Sequence, residues 1–189
     1  MISVQVDSVT GSEIVANSEL KSYARIETSD DDSIVAELIK AAREKCEAII
    51  YRDIVAKTRT LFISNIDASG EYGNLYRRRV KIVLPYAPIN AITSVQSQDS
   101  NGNLSNINYE SFGMEDKYIE VTSSHSKNIK IVYTTTGLSF DNLKLAIKQL
   151  ATTYYDNRSD FVKGQTITNK SIPTSVQSIL SPYVYYNEL

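Results

Sequence analysis

Chemistry in this chain would have to run through very few side chains. It has one histidine, His125, and one cysteine, Cys46. Cys/His zinc clusters are therefore excluded, and any Ser/His/Asp or Cys/His scheme must use His125. That histidine stands among Ser123, Ser124 and Ser126 between two predicted strands. No nucleophile elbow or second catalytic motif accompanies it, so it reads as a turn residue. Cys46 falls in the apolar stripe of a predicted helix and reads as a small buried hydrophobe. Asp99, Asn101, Asn103 and Glu110 take the first, third, fifth and twelfth places of a calcium loop, but Leu104 sits where that loop needs its bend-forming glycine. A hairpin turn at Asn101-Gly102 explains the same residues. Asp30-Asp31-Asp32 reads as an acidic helix start rather than a metal site. The nearest approach to a glycine-rich phosphate loop is Gly70 and Gly73, which is no such loop. These observations assign no catalytic residue, no cofactor and no metal, and they argue for a protein that is not an enzyme.

Charge and hydropathy narrow the class further. The 189 residues carry a net charge of -2, which gives no overall drive toward nucleic acid. The charge is skewed along the chain, with -5 over residues 1 to 56 and +3 over the remainder. Its sharpest basic point is Arg77-Arg78-Arg79 with Lys81, which reads as a solvated loop entering a strand. The N-terminus lacks a signal-peptide pattern, and no apolar stretch approaches the ~20 residues that span a bilayer. A soluble chain made in a cytoplasm, with no membrane partner, is the expectation. Tyrosine is the outlying feature: 13 residues against 4 Phe and no Trp. It is a residue type favoured at protein–protein interfaces.

Periodicity divides the chain into segments. After a short strand from Ile2 to Val6, residues 18 to 25 read as a brief helix capped by Ser18. A long amphipathic helix from about 30 to 51 follows, with Ser29 as its cap. Its stripe is Ile34, Leu38, Ala42, Cys46 and Ile49, with Val35, Ile39 and Ile50 beside it. From 57 to 135 the period falls to two. Strands are predicted at Thr58 to Ser64, Arg79 to Leu84, Ile92 to Gln98, Leu104 to Glu110, Tyr118 to Thr122 and Asn128 to Thr134, forming an antiparallel sheet. Asn142 to Arg158 is helical again, with Leu143, Ile147, Leu150 and Tyr154 on one face. The fold class is therefore α+β: a small helical bundle from the N- and C-terminal helices with an inserted antiparallel β-sheet region. The expected divisions are 1–56 (helical), 57–135 (inserted β region), 136–162 (closing core helix) and 163–189 (linker and C-terminal interaction tail).

That tail carries Ile172, Val176, Ile179, Leu180, Tyr183, Tyr185 and Tyr186 behind a polar linker. So much apolar surface has to be buried, either back on its own subunit or against a partner. Together with Arg158 at the preceding helix end, these residues are the candidate interface set.

Several segments in succession resemble the head-tail connector (adaptor) proteins of tailed bacteriophages. Leu20-Lys21 with Ala24-Arg25-Ile26, then Asp30-Asp31-Asp32 and Ile39-Lys40-Ala41-Ala42-Arg43-Glu44, is similar to that family's opening helix pair. Ile82-Val83-Leu84-Pro85-Tyr86-Ala87-Pro88-Ile89, with Thr93-Ser94-Val95, is similar to its strands. Leu150 to Arg158, Ile172-Pro173 and Leu180-Ser181-Pro182-Tyr183 are similar to its closing helix and tail. One departure is Ile50-Tyr51-Arg52, where members often have Thr-Gly-Arg. The resemblance implies a non-enzymatic virion protein of the neck between head and tail, assembled in a bacterial host's cytoplasm. It implies a ring of subunits, a dodecamer in the virion, bound to the portal protein and extending the DNA channel toward a stopper or tail. Double-stranded DNA would pass without sequence recognition.

Overall fold

A computed structural model describes residues 1–64, 79–122, 128–157 and 173–185. In chain order the elements are β1 (Ile2–Val9), α1 (Asn17–Ala24), α2 (Asp32–Ile50), β2 (Lys57–Ser64), β3 (Arg79–Val83), β4 (Ile89–Gln98), β5 (Leu104–Asn106), β6 (Tyr109–Phe112), β7 (Tyr118–Thr122), β8 (Asn128–Thr135), α3 (Asp141–Asp156) and α4 (Thr174–Leu180). The chain divides into a β unit, Met1–Gly11 with Val55–Gly137, and a helical unit, Ser12–Ile54 with Leu138–Leu189. The expected α+β class holds, but the divisions differ from the expected ones. The first eleven residues belong with the sheets, because β1 pairs with β2 over Ile2↔Ile63 to Val9↔Lys57. The closing helix and the tail segment fall together in the helical unit.

Two antiparallel sheets make up the β unit: a five-stranded one ordered β1-β2-β8-β4-β5 and a three-stranded one ordered β3-β7-β6. Strict alternation along β8 buries Ile129, Ile131, Tyr133 and Thr135 on one face. Leu61, Ile131 and Val95 stand opposite one another across three strands, and Ile82 opposes Ile119 in the small sheet. One apolar core draws on both sheets. The predicted strand from Leu104 to Glu110 is in fact two. β5 pairs with Gln96 to Gln98 of β4, and β6 pairs with β7. The break falls at Asn106-Ile107-Asn108, where two poor strand formers flank an Ile107 whose N–H bonds the Val95 carbonyl at 3.0 Å. The turn between β4 and β5 is also wider than the Asn-Gly pair implied. Gly102 alone takes positive φ, at 88°. The Asp99 carboxylate closes the loop by accepting the N–H groups of Asn101 and Asn103, each at 2.8 Å.

In the helical unit α2 and α3 pack on each other, as their stripes required. The core includes Leu20, Val35, Ile39, Ala42, Cys46, Ile50, Leu143, Ala146, Ile147, Leu150 and Ala151. The α2 stripe is rotated from the expected one: Ile34 is exposed, and Leu38 and Ile49 are partly buried. Helix starts differ as well. The residue before α1 is Ala16, not Ser18, and its N–H donates to the Glu19 carboxylate at 2.8 Å. The residue before α2 is Asp31, without a side-chain cap. Ser29 contributes only its backbone carbonyl, to the Asp32 N–H at 3.2 Å.

Candidate assembly surfaces

The C-terminal segment resolves one of the alternatives left open above. Val176 and Leu180 are fully buried in the core of their own helical unit, and Ile179, Tyr183 and Val184 pack against it. As core residues they are not available as anchors for a partner. Beyond α4, Pro182 opens a 3₁₀ turn over Ser181–Tyr183. Tyr183 stacks on Phe140 with ring centroids 5.5 Å apart, and its hydroxyl accepts a 3.4 Å bond from Asn142 Nδ2. The Tyr185 N–H donates to the Ile50 carbonyl at 2.8 Å, and the Arg52 guanidinium lies 5.0 Å from the Tyr185 ring centre. Ile179, Tyr183 and Tyr185 therefore keep part of their surface at the rim of this unit. Arg158, Ile172 and Tyr186 lie outside the described residues, as do His125, Arg77 and Arg78.

The α2 exit carries the departure noted in the sequence. Tyr51 sits at φ 53°, a left-handed cap that a glycine would occupy without strain. The backbone turn is thus one that Gly favours, and the difference lies in the side chain, which is 57% exposed.

A buried ionic cluster braces the same helix, and the sequence reading missed it. Arg43, 1% exposed, directs its Nη1 at Glu47 Oε2 (2.7 Å) and its Nε and Nη2 at the Glu13 carboxylate (3.0 to 3.2 Å). Glu47 Oε1 in turn accepts the Ile54 N–H at 2.8 Å. Burial by itself would lower the Arg43 pKa, but the hydrogen bond to Glu13 and the charge of Glu47 outweigh it and raise the pKa above the ordinary value. The spacing was a usable signal, since Val35, Ile39, Arg43 and Glu47 recur every four residues down one face. Next to the cluster, burial and then the Glu47 charge push the Cys46 thiol up to about 12, which leaves it inert.

The acidic run is occupied by structure. Tyr155 Oη donates to Asp31 Oδ2 at 2.5 Å, and Lys21 Nζ pairs with Asp32 at 2.6 Å. The calcium-like set does not converge either. Asp99 closes its own loop, whereas Glu110, on the other sheet, pairs with Arg79 at 2.6 Å. Arg79 also reaches Glu120 at 3.2 Å, so this end of the basic run is neutralised by carboxylates. Among the described residues no group of three or more His, Cys, Asp or Glu could hold a metal ion, and no helix is long and apolar enough to cross a membrane. An open groove is lined by Ser18, Glu19, Ser22, Tyr23 and Lys148; the Glu19 carboxylate there accepts the Ala16 N–H, and Lys148 Nζ lies 5.8 Å from the Tyr23 ring centre.

Polar side chains here close loops, brace helices and neutralise neighbours. A family model for head completion proteins (HCP) matches residues 13–185, and the chain belongs to that family. It is thus a structural protein of the virion, one that completes the head. Its fold is similar to that of a chain in the neck of an empty GTA particle computed with C6 symmetry, with TM-score 0.67, 17% identity and 100% and 97% of the two chains covered. A chain from the virion of the native gene transfer agent (GTA) particle gives TM-score 0.69 at 16% identity, covering 98% of this chain and 97% of that one. A chain in the neck of the native GTA particle computed with C12 symmetry gives 0.59 at 16%, covering 96% and 97%. At these identities the likeness is one of fold. No curated protein matches the chain.

Proposed function

We propose that the protein is an adaptor: a ring of identical subunits, about twelve in the particle, seated beneath the portal and extending the DNA channel toward a stopper or tail. The observation that carries this reading is the head completion family match, which runs from residue 13 to 185 and so takes in both units. The solved neck particles of similar fold were computed with C6 and C12 symmetry, which supports a closed ring. A net charge of -2 suits a conduit, because a wall making many phosphate contacts would hold the DNA rather than let it slide. The role is non-enzymatic, and the DNA passes without sequence recognition. Ile179, Tyr183 and Tyr185, at the rim of the helical unit, are the described members of the expected interface set, joined by Arg158, Ile172 and Tyr186. Copurification with the cognate portal, imaged for ring symmetry, tests the reading. A ring stacked on the portal is expected. A ring that binds only tail-side proteins would instead make this a stopper-like component, and a chain that binds neither would overturn the proposal.

A further inference from the structure

The chain passes between its two units three times, at Gly11–Ser12, Ile54–Val55 and Gly137–Leu138, so each unit is assembled from separate stretches of sequence. The residues at these passages are where either body would first come open, because an end of a stretch is held from one side only. In both units the ends are tied to one another. In the helical unit the ties form one relay. Glu13, just past the first passage, holds Arg43 Nε and Nη2 at 3.0 to 3.2 Å. Arg43 Nη1 reaches Glu47 Oε2 at 2.7 Å, and Glu47 Oε1 accepts the N–H of Ile54, the last residue before the second passage, at 2.8 Å. The Ile54 carbonyl then accepts the N–H of Leu138, the first residue after the third passage, at 3.1 Å.

The β unit closes its own ends by other means. The N–H groups of Thr10 and Gly11 both donate to the Ala56 carbonyl at 2.9 Å, which joins the first passage to the second. The Lys57 N–H donates to Thr135 Oγ1 at 3.1 Å, which joins the second to the third. Gly11 is required for this approach, since a Cβ there would stand 2.6 Å from the Ala56 nitrogen. The Thr136 N–H donates to the Pro88 carbonyl at 3.1 Å, again within the β unit. What lies between the two sets of ties is short: Ser12, Val55 and Gly137.

We infer that the relay from Glu13 through Arg43, Glu47 and Ile54 to Leu138 is a latch on the helical unit: it closes the ends that the β unit interrupts, so that opening of the β unit stops at the passages and does not run into the helical core. Opening that begins in the β unit frees Gly11, Val55 and Gly137. To spread further it must pull on Glu13, Ile54 and Leu138, of which Ile54 and Leu138 are themselves core residues. Pulling them parts a buried guanidinium from two carboxylates, which strands charge away from water. Without Arg43 the Glu47 carboxylate is drawn toward solvent, and the acceptor of the Ile54 N–H goes with it. The latch is a property of one chain and stands whether or not the protein forms a ring.

Amide hydrogen exchange of the full chain tests it. Ile131→Ala, a cavity at a fully buried position between β2 and β4, loosens the β unit and should speed exchange of the β8 amides by about 30-fold or more. With Arg43 in place, the Ile54 and Leu138 amides should keep their rates within about twofold. In an Arg43→Met chain the same Ile131→Ala step should speed both by about tenfold or more. A Leu150→Ala chain separates the latch from general weakening, because it opens a cavity in the helical core without touching the relay. There the Ile131→Ala step should again leave Ile54 and Leu138 unchanged. If Arg43→Met does not fold, Arg43→Lys takes its place, since lysine keeps the charge but cannot fork across both carboxylates. Faster exchange at Ile54 and Leu138 in Ile131→Ala alone would mean that the two units open together, and the latch is overturned. It is equally overturned if the Arg43 and Leu150 backgrounds respond alike to Ile131→Ala.

Discussion

Replacing Arg43 probes the most demanding piece of polar chemistry in the helical unit. The guanidinium is 1% exposed, and the Glu47 side chain facing it at 2.7 Å is 5% exposed. Arg43→Met keeps most of the side-chain volume but leaves the Glu47 carboxylate buried without its counter-charge. Breaking a buried pair from one side costs about 3 to 5 kcal/mol. Glu13 adds less, since its side chain is 33% exposed and solvent screens that arm to about 1 kcal/mol or below. The expected loss is therefore about 3 to 5 kcal/mol, a large share of the roughly 5 to 15 kcal/mol that holds a domain folded. Glu47→Gln also strands a charge, this time that of Arg43, but retains an oxygen for the Ile54 N–H. The double variant Arg43→Met/Glu47→Gln removes both charges together, so its loss should fall short of the sum of the singles by about 1 to 3 kcal/mol. Urea denaturation of the full chain, followed by helical circular dichroism, gives all three values. Strict additivity, or an Arg43→Met loss below about 1 kcal/mol, would refute the buried-pair reasoning.

The other predictions concern separate places. Leu150→Ala, at a fully buried position facing α2, should lower stability by about 2 to 5 kcal/mol, whereas Leu38→Ala, only partly buried, should lose distinctly less in the same denaturation assay. Leu180→Ala should likewise lose about 2 to 5 kcal/mol, and a chain cut after Lys170 should melt well below the full chain; an unchanged melt would show that α4 contributes nothing to its own subunit. Tyr51→Gly should raise stability by about 0.5 to 1 kcal/mol by relieving the left-handed cap, read as a shift of the urea midpoint to higher concentration. The Asp99 carboxyl is held below its usual pKa by the Asn103 backbone N–H, then by the Asn103 side chain, with the Asn101 and Gly102 N–H groups adding less. Its contribution to the hairpin is therefore present above the ordinary carboxylate range and lost as pH falls through the depressed value. The Asn103 amide resonance should titrate with a midpoint below that of a free aspartate, and a midpoint at or above it would contradict the loop geometry.

Elements whose signal is local were legible in the sequence. α2 and α3 announce themselves by apolar residues every three or four positions, and β8 by strict alternation from Ile129 to Tyr133. What escaped depends on partners far along the chain. β1 looked like an appendage of the helical part because its partner, β2, begins nearly fifty residues later. Arg43 and Glu47 went unassigned because a single helix cannot show that Glu13 will neutralise one and the Ile54 N–H will hold the other. The predicted strand at Leu104 to Glu110 kept an extended pattern throughout, and only the pairing with β4 at one end and β7 at the other shows where it changes sheet. The tail's apolar content was equally plain, but hydrophobicity does not name the surface that buries it.

That last point bears on where assembly contacts arise. An anchor built from α4 would have to leave its own core, exposing Val176 and Leu180 at a cost of about 1.5 to 3 kcal/mol each. A partner would need to return that energy before any affinity appeared. Apolar side chains that are already in water, such as those of Ile2, Val6, Leu104 and Met114, carry no such prior cost. Tyr183 and Tyr185 stand between these cases: their backbone and rings are partly fixed by Phe140, Ile50 and Arg52, so a partner meeting them loses little rotamer freedom on binding. A contact of the proposed ring is thus easier to build from side chains already in water than from the buried face of α4.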